Sequence, residues 1–371
     1  MTPILSTRAL NRALLARQWL LQRRTSPIEA AIEHLVGLQA QSPQSPYYAL
    51  EARLEGFRPQ DMSLQLERRE AVRGTLYRGT IHWVTVRDWL AIRPLIQPVL
   101  ERVFSAQRAF AAAVRGIDVD AVRAEGRALL AEQPRTGSEL GRLLQPLWPD
   151  RDGRQLAFAV QYLEPVVQVP PRGLWGRTGQ ALLAPSSTWL GRDLDAAPSV
   201  DDLVLRYLAA FGPASPADVR TWSGLSGARD ILERLRPGLM TFRDQRGGEL
   251  FDLSDAPRPD PDTPAPPRFL PDYDNAFLAH ADRTRIVSDE HRRHWANGSG
   301  TGSHVFLVDG FGAGLWRVRH DRAGATLLIG AHAQLRSGDR DGLEAEGARL
   351  LRFAAPDAVS HRIEFAAQPR G

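Results

Sequence analysis

The chain of 371 residues contains no cysteine. Disulfides, thiolate metal sites and cysteine nucleophiles are therefore excluded. Lysine is missing too, so all 47 residues counted as Lys or Arg are arginine. No lysine side chain can form a Schiff base. Every side-chain cation apart from histidine is a guanidinium, which grips phosphate through two parallel hydrogen bonds. Long apolar runs are also missing. No stretch approaches the roughly 18 apolar residues of a membrane helix, and the N-terminus lacks a signal-peptide core. Both features predict a cytoplasmic protein with no membrane partner. Nor does one charge dominate: 43 acidic residues stand against 47 basic ones, for a net charge of +4. That balance is compatible with nucleic acid without demanding it, and any basic surface must come from uneven placement.

What is present describes a globular protein: 43% hydrophobic and 24% charged residues. The length exceeds one ordinary core and predicts about two to four domains. The chain is organised around Gly37-Leu38-Gln39-Ala40-Gln41. Upstream, Ile28, Ala31, Ile32, Leu35, Val36 and Leu38 have helical spacing, and Pro27 suits a first turn, so a helix is predicted over 27–38. Ser42-Pro43-Gln44-Ser45-Pro46 cannot continue it. Two amides two residues apart do not share a helical face, so at least one leaves the helix. Either they cap the helix and bond the following loop, or they point into a cleft and grip a water or a polar ligand. Spacing alone does not separate the two.

In order, helices are predicted over 7–24, 27–38 and 62–70, then a strand-and-turn segment over 72–85 and a long helix over 86–113, bent at Pro94 and Pro98. Helix, helix, helix, hairpin is the order of a winged helix. The order recurs with helices at 118–130, after Thr136, and at 153–163, and with a wing over 166–177. It recurs again from Val200, where Ser215 with Pro216 and Asp218 starts a helix and 239–251 holds a strand pair. Residues 254–267, rich in Pro and Asp, read as a solvated linker. Beyond it, short strands at 268–271, 276–278, 304–308, 314–318, 325–329 and 360–366, interrupted by a helix over 342–353, predict a small barrel. The expected fold is thus α+β. Winged helices occupy 1–114 (with the Gln-x-Gln site and the long connecting helix), 115–195 and 196–256, and a β-barrel occupies 268–371.

Other constellations carry less. His291-Arg292-Arg293-His294 lacks a carboxylate at metal spacing, so no metal site is expected. The glycine-rich run 298–303 is followed by no Gly-Lys-Ser/Thr and no helix, and reads as a loop rather than a phosphate cradle.

An ordered set of segments, however, resembles a known family. These are Leu35-Val36-Gly37-Leu38-Gln39-Ala40-Gln41, Arg78-Gly79-Thr80-Ile81-His82-Trp83-Val84-Thr85, Arg206-Tyr207-Leu208-Ala209-Ala210-Phe211-Gly212-Pro213-Ala214, Leu270-Pro271-Asp272-Tyr273-Asp274-Asn275 with His280-Ala281-Asp282-Arg283, and Val308-Asp309-Gly310-Phe311. In this order, over nearly the whole chain, they resemble the AlkZ-type winged-helix DNA glycosylases of bacteria. The resemblance implies three tandem winged helices around a C-terminal β-barrel, no cofactor, and removal of alkylated purines, including those in interstrand crosslinks. It places the catalytic pair at Gln39 and Gln41. A related branch carries Asp at the second position; Gln here favours the AlkZ-like branch. The implied partner is double-stranded DNA containing alkylated purines or crosslinks, bound by a cytoplasmic monomer that is nucleoid-associated when on DNA.

The residues support that chemistry on their own terms. Hydrolysis of a glycosidic bond usually takes two carboxylates, one protonating the leaving group. Glutamine has no useful basicity, but it can aim a water and set its carbonyl against developing positive charge. That suffices when the leaving group needs no proton. A purine alkylated at N7 is already cationic and leaves neutral. A crosslinked base cannot be flipped freely, so the catalytic pair should face a wide basic channel. Candidate DNA-binding residues are Arg73, Arg78 and His82 in the first wing, Arg172 and Arg177 in the second, and His280 and Arg283. Each arginine equally suits a solvated surface charge, and each histidine a structural hydrogen bond. The alternative function is a non-catalytic winged-helix DNA-binding regulator.

Overall fold

The computed structural model describes residues 2–297, 304–322 and 324–366, so the glycine-rich run 298–303 lies outside them. The chain opens with β1 (Ile4–Leu5), α1 (Thr7–Arg17), α2 (Ile28–His34), β2 (Leu38–Gln39), α3 (Ser45–Glu51), α4 (Pro59–Glu67), β3 (Ala71–Thr75), β4 (Ile81–Thr85) and α5 (Val86–Ala106). Two predicted helices end early: the first stops at Arg17 and the second at His34. The Pro/Ser segment does not stay a turn, because Pro46 sits in the first turn of α3, where a missing N–H costs nothing.

Next come α6 (Arg108–Ala113), α7 (Val119–Glu132), β5 (Arg135–Thr136), α8 (Gly137–Leu144), α9 (Gly153–Leu163), β6 (Val166–Val169), β7 (Leu182–Pro185) and α10 (Ser186–Leu190). They are followed by α11 (Val200–Phe211), α12 (Pro216–Ser223), α13 (Ala228–Leu235), β8 (Met240–Asp244) and β9 (Glu249–Asp252). Helix starts are set locally. Thr136 with Glu139 and Ser215 with Asp218 form reciprocal capping boxes at α8 and α12.

Among the described residues the strands gather into three sheets. One has the order β2-β4-β3-β6-β7-β5, joining strands of the first and second predicted wings through antiparallel β3 and β6. Gly74 of β3 leaves room for fully buried Trp89 of α5: a Cβ there would meet the indole at 2.4 Å. This core continues through Ile96, Tyr207, Phe211 and Trp222. A second sheet has the order β1-β8-β9.

The C-terminal region is β10 (Arg268–Leu270), α14 (Asn275–Leu278), α15 (Asp289–Asn297), β11 (Val305–Val308), β12 (Phe311–Asp321), β13 (Gly324–Ala331), α16 (Ser337–Ala354) and β14 (His361–Ala366). Its sheet runs β10-β11-β12-β13-β14 and is open, not the closed barrel expected over 268–371. The physical reason is α16. Its Leu343, Leu350 and Leu351 pack on Phe269, Phe306, Trp316, Leu327 and Ile329, so a helix rather than closure fills the core. The segment 276–278, expected as a strand, is helical because Asp274 caps it, accepting from Ala276 N at 3.0 Å. Among the described residues no helix is long and apolar enough to cross a membrane.

Candidate active site

Gln39 sits on a strand, not on a helix edge. Helix α2 closes with Val36 N donating to Glu33 O at 3.1 Å and Gly37 N donating to Ile32 O at 2.9 Å, the paired bonds of a Schellman motif. Val36 takes the left-handed position at φ 54°, a conformation costly for a β-branched residue. Gly37 follows at φ 88°, and a Cβ there would lie 2.6 Å from Val84 Cγ1. The chain is thereby turned into β2, antiparallel to β4, with Leu38 opposite Trp83 and Gln39 opposite His82. Ala40 N extends the ladder to Ile81 O at 2.7 Å. Gln39 closes β2, and Gln41 follows two residues on, in a bend just past the strand.

Both amides are oriented by donor-only groups. Arg78 Nη2 donates to Gln39 Oε1 at 2.8 Å, and Ile81 N donates to Gln41 Oε1 at 3.3 Å. The facing atoms must therefore be carbonyl oxygens, each keeping one lone pair. Neither amide nitrogen has an acceptor among the described residues. Gln39 is 6% exposed, whereas Gln41 is open to solvent.

Of the cations behind the pair, Arg73 is buried and Arg78 half-buried, and neither has a carboxylate partner among the described residues. Arg78 stands at φ 57° in the β3–β4 turn, where its Nη1 also donates to Trp222 O at 2.6 Å. Beneath it, Tyr77 packs on Trp222 with ring centroids 4.4 Å apart. Burial pulls the Arg78 pKa down to about 10; the Tyr77 hydroxyl opposes this and the charge of Arg283 adds to it. It remains a cation at neutral pH. Arg73 is 1% exposed on β3; its Nη2 donates to Ala40 O at 2.9 Å and its Nη1 to Arg172 O at 3.3 Å. Burial, with help from Arg172, lowers it to about 10 as well. Arg73 thus fastens the residue between the two glutamines from behind. His82 is pushed down to about 3, first by burial and then by Arg78, against a raising effect of its bond to Thr80. It is a neutral ring with Nδ1 donating to Thr80 O at 3.0 Å, not a phosphate-binding cation.

Gln41 borders a cleft of about 550 Å³ walled by Ile81, Arg73, Arg172, Arg154 and Gln161, and no carboxylate lines it. The remaining candidates disperse. Arg177 is exposed at a turn beyond β6. Arg283 is partly buried and lies within electrostatic reach of Arg78. His280 is 1% exposed, its Nε2 within 3.0 Å of Phe211 O and 3.1 Å of Arg285 Nη1, inside the protein rather than on its surface. No cluster of residues suited to a metal ion occurs among the described residues.

Sequence reading missed the clamp around the glutamines. Asn275 Nδ2 donates to Gly37 O at 2.6 Å, just before the pair. Just after it, Ser42 and Ser45 hydroxyls both bond to Asp272. Between them, Asp274 takes a bidentate pair from buried Arg53 at 2.7 and 2.8 Å, anchoring the segment to the chain just past α3. Tyr273 is held at φ 57° in the middle. From sequence, Asp274 and Asn275 satisfy a turn; the run Asp272-Tyr273-Asp274-Asn275 was visible, but its partners lie more than two hundred residues away.

Three comparisons bear on identity. The model of the family described as "DNA glycosylase AlkZ-like" matches residues 32–353. Among solved structures, the fold is similar to the Streptomyces sahachiroi DNA glycosylase AlkZ, with a TM-score of 0.80 and 18% sequence identity over 98% of this chain and 100% of that one. No curated protein sequence matches the chain.

Proposed function

This chain belongs to the AlkZ-like family of DNA glycosylases, hydrolases of N-glycosyl bonds, and from that premise we propose that its substrate is a cationic N7-alkylated purine in double-stranded DNA, interstrand crosslinks included. Gln39 and Gln41 hold the attacking water. The observation that carries this reading is two oriented carboxamides two residues apart, the second of which, Gln41, lines a cleft without a carboxylate. Asp272, close in the chain fold, is tied to Ser42 and Ser45 and points to their hydroxyls. With no acid to protonate a leaving group, only a base that is already cationic departs readily.

The free lone pairs of the two carbonyls accept hydrogen bonds from one water and aim its oxygen at C1′; the C1′–N9 bond breaks with its electron pair going to the cationic base, which leaves neutral, and as the C1′–O bond forms the surplus proton of the water passes to bulk solvent, since glutamine cannot take it. The same dipoles lie against the positive charge that develops on the sugar. Arg78 fixes Gln39 and Arg73 fixes Ala40, so the geometry exists before DNA arrives. In this reading the units 1–114, 115–195 and 196–256 act as winged helices that hold the duplex, with exposed arginines such as Arg177 on phosphate.

The test is incubation of the full chain with duplexes carrying one N7-methylguanine or one defined N7 crosslink, followed by detection of abasic sites. Base release from modified but not unmodified duplex is the expected result. Tight binding to a dyad-symmetric site with no base release would favour a non-catalytic regulator instead.

A further inference from the structure

A loop that joins two strands is ordinarily the mobile part of a hairpin. The loop between β6 and β7 is not left free: five consecutive residues of it are each held by a side chain from residues 44–73. Arg73 Nη1 donates to Arg172 O at 3.3 Å, the Tyr47 hydroxyl to Gly173 O at 2.7 Å and Gln44 Nε2 to Leu174 O at 3.1 Å. In return Trp175 N donates to Ser63 Oγ at 2.9 Å and Gly176 N to Gln44 Oε1 at 3.2 Å. The Tyr47 proton goes to a carbonyl, so Ser63 must donate across the 2.8 Å to the Tyr47 oxygen, and the bonds run unbroken from Trp175 to Gly173. Gly173 leaves no slack, because at φ 100° a Cβ there would lie 2.6 Å from Arg73 Cδ.

The same frame carries the glutamine pair. Arg73 spans the loop and Ala40 with one planar fork, its Nη2 donating to Ala40 O at 2.9 Å. Gln44 follows Gln41 by three residues. The segment 40–44 is therefore tied to the loop at both ends, with Gln41 between. These bonds use the backbone of the loop, so its own cations stay available. Arg172 spends one nitrogen on Gly179 O at 2.8 Å, and neither it nor Arg177 pairs with a carboxylate among the described residues. Arg177 is exposed, and its backbone is fixed too, its N donating to Leu174 O at 3.1 Å. Packing of Trp175 on Tyr47, with ring centroids 5.1 Å apart, would suffice to join the two segments. The directional bonds add a fixed distance between an exposed guanidinium and Gln41.

We propose that this loop is a rigid bracket that sets the register of catalysis: Arg177 holds one backbone phosphate, and Gln44 fixes the distance from that phosphate to Gln41. Phosphate contacts position a duplex without reading it. A base joined to the opposite strand cannot be drawn out, so its sugar has to be placed from the backbone, and a misplacement of about 1 Å can cost on the order of 10²-fold in rate. Gln44 is then a positioning residue that acts through the loop. The group it serves is one phosphodiester at a set offset from the lesion. This inference rests on the glycosylase reading.

The test uses the full chain and duplexes with one N7-methylguanine in which one phosphate at a time is replaced by an uncharged methylphosphonate. Single-turnover excision is measured at saturating enzyme, beside duplex affinity and melting temperature. Wild type should slow on the order of 10-fold at one phosphate or two adjacent ones, and far less elsewhere. Arg177→Gln should slow excision of the unsubstituted duplex by a similar factor and lose the response to those phosphates, since one contact cannot be lost twice. Gln44→Ala should also slow saturated excision on the order of 10-fold and flatten the response, with affinity unchanged. A merely structural glutamine would lower the melting temperature and keep the wild-type pattern. Arg177 is exposed, so its variant decides if Gln44→Ala does not fold. Effects spread evenly along the backbone, or a wild-type pattern in either variant, would overturn the bracket and leave the glycosylase reading standing. If wild type releases no base from any duplex, both fall.

Discussion

Glutamine neither loses nor usefully accepts a proton near neutral pH, so what Gln39 and Gln41 contribute depends on how their amides are held. Arg78 spans Gln39 and the Trp222 carbonyl with two nitrogens of one planar fork. Arg78→Lys keeps the charge but cannot bridge both. Single-turnover excision should fall on the order of 10-fold while affinity for undamaged duplex stays, and an unchanged rate would show that Gln39 needs no such brace. Gln41→Asp adds a true base at the rim of the cleft; activity should survive and extend to less activated purines, and a loss as deep as that of Gln41→Ala would count against water positioning. His82 supplies a pH signature. Its folded pKa of about 3 lies below the ordinary value of 6.5, so the unfolded chain binds the proton more readily. The stability it contributes is complete above about pH 6.5 and is lost as pH falls toward 3, by about 1.4 kcal/mol per pH unit. His280, held down to about 3 by burial and the charge of Arg285, acts in the same sense, so urea midpoints at pH 7.5 and 5.5 should show at least this slope, and His82→Asn, whose amide can replace the Nδ1–H bond to Thr80, should reduce it by the His82 share.

At the scale of elements, the junction of α2 and β2 decides where the amides go. Gly37→Ala meets both a positive φ and Val84 Cγ1 at 2.6 Å, and should destabilise the fold by more than about 1 kcal/mol. Asn275→Ala removes the donor to Gly37 O; it should cost about 1–3 kcal/mol of stability and slow excision at saturating DNA without weakening binding. A variant with normal single-turnover rate would reduce Asn275 to a structural role. This junction also marks where sequence reading stopped. Leu35, Val36 and Leu38 fit a helix and a strand alike, and Val36 is not a residue that advertises a left-handed turn. The helix starts at Thr136 and Ser215 were legible because the bonds that cap them close within four residues. The strands at 304–308, 314–318 and 325–329 were legible from local alternation. Barrel closure was not, because it depends on whether β10 meets β14 or α16 covers the face.

Over the whole molecule, the ordered segments that carried the family resemblance divide by role. Those at 35–41, 78–85 and 272–275 surround the candidate site. Those at 206–214 and 308–311 hold parts together: Arg206 pairs with Asp88 at 2.6 and 2.7 Å, and Asp309 joins Arg8 and Arg12 of α1. Family was therefore readable from the chain, whereas the clamp, made of contacts between distant segments, needed the fold. The absence of lysine in the sequence has a molecular consequence: borohydride should trap no covalent complex with the abasic product through a side chain, and a trapped species would have to involve the N-terminal amine. DNA affinity should fall linearly with salt on logarithmic axes, by about 0.9 for each phosphate contact. The central claim is that the glutamine pair, and not a carboxylate, sets up hydrolysis. It is tested most directly by single-turnover excision of N7-methylguanine with the Gln39→Ala, Gln41→Ala double variant, measured beside its melting temperature and duplex affinity. We expect a loss of about 10²-fold or more, roughly 2.7 kcal/mol, with folding and affinity near those of wild type; excision at the full wild-type rate would remove the pair from the mechanism.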